Sequence, residues 1–230
     1  VSSPSIFSNE ITINNTLIGA YHFTNEISAA LTISKFTLGN IDYTSTNLEE
    51  VARGFHFTTE MLSISPSIQF KIRESSPGST RKLFVNSYFG IGGEYIKFNP
   101  TSSYKGVIYN LQTLGTGGQT IDSAKSPYSL TTAGLVFSGR MNFYVNKKYA
   151  VSFLLSYHRT FTDYLDDVGP DIYPDPNKLF AKNGTNGAAA VYFSNPTSDY
   201  ITPGRVRSSP STPQDSYFSF NILFTRKLFK

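Results

Sequence analysis

The chain has 230 residues, 39% hydrophobic, 15% aromatic and 16% charged, with 19 Phe, 15 Tyr, 29 Ser, 23 Thr and neither Cys nor Trp. Low charge with abundant aromatics excludes a disordered chain, and zero Cys excludes disulfide staples, thiolate zinc sites and thiol nucleophiles. No apolar run approaches the roughly 18 residues a membrane-spanning helix needs, so any membrane crossing must be made by strands. The chain opens on Val1 with no export signal in view and reads as a processed or trimmed product.

Taken in chain order, apolar residues recur with period two in seven segments: 11–23, 27–36, 58–72, 82–98, 130–145, 149–164 and 216–229. In the fifth, Ala133, Leu135, Phe137, Met141, Phe143 and Val145 share one face, opposite Thr132, Gly134, Ser138, Arg140 and Asn142. In the sixth, Tyr149, Val151, Phe153, Leu155, Tyr157 and Phe161 oppose Ser152, Ser156, His158, Thr160 and Thr162. In the seventh, Phe218, Phe220, Ile222 and Phe224 oppose Ser219, Asn221 and Thr225. Strands of about 9–11 residues cross a bilayer when tilted, and these are as long or longer. Soluble barrels alternate too, but they turn a charged face to water. Here the polar face is Ser, Thr, Asn and Gly, which suits a packed interior, and Tyr21, Phe23, Tyr95 and Tyr149 sit near strand ends, where aromatic girdles lie.

The expected fold is therefore all-β: one domain, residues 1–230, forming an antiparallel transmembrane β-barrel of the bacterial outer membrane. Short connections (24–26, 73–81, 146–148) alternate with long ones near 38–56, 99–129 and 165–215, and long loops belong on the extracellular side. Seven strands are visible where single-chain barrels have an even number, so a first strand is expected to lie upstream of Val1 or to be supplied otherwise, giving eight.

The charges sort by end. Lys71, Arg73, Arg81, Lys82, Lys147, Lys148, Arg226, Lys227 and Lys230 fall at the short-turn end against Glu26 and Glu74, nine bases to two acids, a rim of about +7. Such a rim suits anionic headgroups or an acidic periplasmic partner. It is no nucleic-acid signal, because no basic patch with interleaved aromatics accompanies it.

The long loops hold most of the acids. Asp163, Asp166 and Asp167 lie close together, with Arg205 and Arg207 offering partners from the far end of the same loop. The spacing lacks the alternating oxygens, internal Gly and distant Glu of a calcium loop, so a locally salt-bridged loop fold is expected. His22, His56 and His158 fall on different segments, with no Ser–His–acid set expected to converge and no HExxH or GxSxG motif, so no enzymatic activity is expected. Gly90, Gly92 and Gly93 sit mid-strand and do not form a phosphate loop. Eight strands enclose a lumen that side chains fill, which disfavours a pore. Glu60, Glu94, Arg140 and His158 cannot all face lipid, so some should pair inside.

FTDYLDDV (Phe161–Val168), IYPDP (Ile172–Pro176), ARGFHF (Ala52–Phe57), YNLQTLGTGGQ (Tyr109–Gln119), SPYSLT (Ser126–Thr131), DSYF (Asp215–Phe218) and the stretch Asn183–Ala189 run in order along most of the chain. Together they resemble the PorG-like outer-membrane barrel family of bacteria with type IX secretion. The resemblance implies an eight-stranded barrel without enzymatic activity or cofactor. It also implies a scaffold or anchor whose partners, beside outer-membrane lipid, are the periplasmic ring proteins PorK, a lipoprotein, and PorN. Two departures stand out: the family's Gly-rich first strand is absent, and Gly117 stands where an acidic residue is usual.

Overall fold

The computed structural model describes residues 15–41, 56–75, 84–122, 125–146, 148–196, 201–207 and 214–228. Among the described residues seven strands form one antiparallel meander: β1 (Asn15–His22), β2 (Ile27–Ile41), β3 (His56–Ser75), β4 (Phe84–Tyr104), β6 (Thr131–Tyr144), β7 (Tyr149–Thr160) and β8 (Ser216–Arg226). A further short strand, β5 (Val107–Asn110), folds back on the end of β4. Residues 11–14 of the first expected segment lie outside the described residues. β2, β3 and β4 run further into the long-loop end than the alternation alone suggests. β5 is an addition there, where a plain loop was expected.

The sheet is inside-out for a water-soluble protein. Phe137, Phe153, Phe220 and Phe224 face outward, Phe220 at 57% and Phe224 at 90% exposure, as do Leu17, Ile64, Ile68, Ile91 and Leu155. The opposite face buries Ser28, Ser63, Ser65, Gln69, Asn86, Asn142, Ser152, Ser156 and Thr160, with Ser152 and Thr160 fully covered. Period-two alternation makes this segregation possible, because each strand presents successive side chains to opposite faces. Of the four ionisable residues expected to need partners, Glu60 faces outward, while Glu94, Arg140 and His158 are buried inside.

The interior is not polar throughout. At the long-loop end the inward-facing Phe36, Met61, Ile96 and Phe98 pack with Leu165 and Tyr217. Above this layer the long loops build a small helical cap: α1 (Leu111–Leu114), α2 (Pro176–Asn183), a 3-10 turn (Gly184–Asn186) and α3 (Gly187–Ser194). These helices were not expected. Leu111, Leu114, Leu179, Ala189, Ala190 and Phe193 form the cap's core. α2 starts where it does because the Asp175 side chain accepts from the Asn177 and Lys178 N–H groups, at 2.9 and 3.3 Å, with Pro176 at the first helical position. At its other end the Asn183 amide donates to the carbonyls of Leu114 and Leu179, at 3.1 and 3.0 Å, tying α2 to α1.

Among the described residues β1 and β8 are the two edges of the meander, and they run in the same direction because five strands lie between them. The sheet curls far enough that the Thr16 hydroxyl on β1 donates to Asn221 Oδ1 on β8 at 3.1 Å. In the middle of β3, Pro66 has no N–H to give, and the β3–β4 ladder skips Ser65 and Pro66.

Candidate functional site

Three places hold the chemically capable side chains. The first is the short-turn end. The structure brings Lys71 and Arg73 at the end of β3 together with Lys148 in the β6–β7 turn and Arg226 and Lys227 at the end of β8. The Lys227 N–H donates to the Lys148 carbonyl at 2.8 Å, and Asn146 Oδ1 shapes the turn by accepting from the Lys148 and Tyr149 N–H groups at 2.8 and 3.0 Å. Arg73, Lys148, Arg226 and Lys227 are exposed. Lys71 differs: it lies on the inner face, half-buried, with Nζ 2.8 Å from Glu74 Oε2, so its charge is partly answered within the chain. Arg81, Lys82 and Lys147 lie outside the described residues.

The second place is the long loop after β7. Asp167 is fully buried; its carboxylate accepts from the Thr116 hydroxyl and from the Tyr128 phenol, the latter at 2.7 Å. Arg207 donates to Thr116 Oγ1 at 3.0 Å, to the Asp167 carbonyl at 3.2 Å and to the Phe193 carbonyl at 3.4 Å. Asp167 and Arg207, two members of the cluster singled out in the sequence, thus lie together with Thr116 bridging their side chains. Arg205 is exposed and enters through its carbonyl, which accepts from the Tyr173 N–H at 2.7 Å. The ion pair described here joins Lys125 to Asp171 at 3.6 Å.

Gly117 has a physical reason in this cluster. A Cβ there would come within 2.6 Å of the Asp171 side chain, so Asp171 fills the space a larger residue at 117 would need. Burial, reinforced by Asp166, pushes the Asp163 carboxyl up to about 6. Burial does the same for Asp167, up to about 6 against the opposing pull of Arg207, Thr116 and Tyr128. Asp215 is also raised, by burial first and then by Asp166, while it anchors the Leu165 N–H at 2.9 Å. Among the described residues no group of three His, Cys, Asp or Glu is placed to hold a metal ion.

The third place was not foreseen. Inside the curled sheet, Glu94 on β4, His158 on β7 and Ser219 on β8 converge. His158 Nδ1 lies 2.9 Å from Glu94 Oε2, and Nε2 lies 3.0 Å from Ser219 Oγ. Glu94 and His158 are 4% and 7% exposed, and Ser219 is half-buried. The Tyr217 ring stacks on the imidazole at 4.3 Å and 5°, and its hydroxyl donates to Glu94 Oε2 at 3.4 Å.

Register builds the set on a diagonal: Glu94 lies level with Gly134 and Thr160, His158 two residues on and paired with Tyr217, and Ser219 two further and paired with Ser156, so three inward side chains from β4, β7 and β8 step across the sheet toward one another. Gly134 makes the room. A Cβ at 134 would lie 2.9 Å from Glu94 Oε1 and 2.8 Å from the Arg159 carbonyl. A carboxylate only accepts, so Nδ1 of the neutral ring carries the proton, and the Nε2 lone pair is left to accept from Ser219.

Against known proteins, the chain matches no family model, no curated protein and no solved structure.

Proposed function

We propose that the chain is an integral outer-membrane β-barrel that anchors an envelope assembly. The observation that supports this best is the inverted sheet: a continuous outward belt of Phe, Leu and Ile around a Ser, Thr and Asn interior. Apolar patches beyond a few hundred Å² are rare on soluble monomers, whereas lipid demands such a belt and requires backbone groups to pair internally. The same demand argues for an eighth strand. β1 and β8 run in one direction, so a single strand antiparallel to both fits between them and satisfies both edges.

In this reading the exposed Arg73, Lys148, Arg226 and Lys227 face the periplasm, where they meet anionic headgroups and an acidic partner protein. The PorG-like resemblance names the ring proteins PorK and PorN as that partner. Anchoring of this kind requires no chemistry. The test is a photo-crosslinking residue at Lys148, Arg226 or Lys227 in native membranes. Capture of a periplasmic ring protein is the expected result, and capture of lipid alone rejects the docking role.

A second reading has its own support. The cap of α1, α2 and α3 has a separate hydrophobic core, which is more construction than an idle loop needs. In that reading the long loops bind an extracellular ligand or surface protein. Deleting residues 165–215 then abolishes function, whereas a docking scaffold tolerates the deletion.

A further inference from the structure

We propose that Ser219 is an activated nucleophile for acyl transfer, with His158 as its general base and Glu94 as the positioning residue, acting on small carboxylic esters. This goes beyond the anchoring role and does not depend on it. A serine hydroxyl is a weak nucleophile unless a base takes its proton, and the base must be held in the right tautomer by a third group. All three conditions are met: Ser219 Oγ to Nε2 is 3.0 Å, Nδ1 to Glu94 Oε2 is 2.9 Å, and the ring is clamped against Tyr217.

Two features separate this set from an ordinary interior hydrogen-bond network. Glu94 is held where both Tyr217 and His158 donate to one oxygen, so its charge is directed at Nδ1. Ser219 is also the least buried of the three.

The step balances without another reagent. Ser219 Oγ bonds to the ester carbonyl carbon as its proton passes to His158 Nε2. The C–O bond to the alcohol then breaks, and the alcohol leaves with that proton. Water, deprotonated by the same Nε2, releases the carboxylic acid and restores the serine. Esters are named as the class because an alcohol is an easy leaving group and needs only the one proton that His158 Nε2 carries.

The test uses the full chain folded in detergent micelles, treated with a fluorophosphonate and read by mass spectrometry. The expected result is a single adduct on Ser219, formed at least about 100-fold faster than on the exposed Ser103, the scale of a positioned general base. Ser219→Ala should lose the adduct. Glu94→Gln should slow labelling and move its pH profile, while p-nitrophenyl acetate hydrolysis falls in parallel. If a His158 or Glu94 variant fails to fold, the wild-type comparison of Ser219 with Ser103 still decides, because it needs no variant. Labelling of Ser219 no faster than of Ser103 overturns the proposal.

Discussion

Gly134 and the buried aspartates show how much of this fold rests on single side chains. Gly134→Ala places a methyl against Glu94 Oε1 and the Arg159 carbonyl. Overpacking of this kind costs roughly 1–3 kcal/mol, and it should lower the thermal unfolding midpoint in micelles while slowing any Ser219 labelling. The loop aspartates give a pH dependence of unusual sign. Asp163 and Asp167 titrate near 6 in the folded chain, above the ordinary carboxylate range, so the folded state holds the proton more tightly than the unfolded one. Below about pH 4 both states are protonated and the difference vanishes. As pH rises from there through 6 the loop loses stability, and above 6 the loss is complete. Limited proteolysis of the 163–207 loop should therefore be slower at pH 5 than at pH 7.5, and Asp167→Asn should flatten that difference. Faster cleavage at pH 5 would show that the buried carboxylates are stabilised as anions.

At the scale of elements, sequence pattern reveals faces far better than heights. Period two separates Phe137 and Phe153 from Ser138 and Ser152, and the structure keeps that division. It cannot say that Glu94, His158 and Ser219 converge on one diagonal, because their offset depends on register accumulated across β4, β6, β7 and β8. The cap helices illustrate a different loss. Asp175 followed by Pro176 is a helix-start signal, legible in the sequence, but α2 has only eight residues, too few for its apolar spacing to stand out from a loop. Thr116, which bridges the Asp167 carboxylate and Arg207, lies 51 residues before Asp167 and leaves no local trace in the sequence. Asp175→Ala removes the acceptor for two N–H groups, so α2 should lose about 1 kcal/mol and its amides should exchange faster while those of β3 and β4 do not change.

For the molecule as a whole, the outward belt makes a prediction no soluble barrel shares. Phe220→Lys, on the outer face of β8, should cost about 2–4 kcal/mol of insertion into lipid vesicles, whereas Tyr149→Lys, on the outer face at the short-turn end, should cost about 0–1. Equal, small effects at both positions would mean that the belt does not meet lipid. The apolar layer of Phe36, Met61, Ile96 and Phe98 carries a consequence of another kind. In the proposed barrel it stoppers the tube at one end, so hydrated ions meet hydrocarbon where they would have to pass. Whatever polar chemistry the interior supports is reached from the other mouth. In a planar bilayer the protein should be electrically silent, a vessel open on one side.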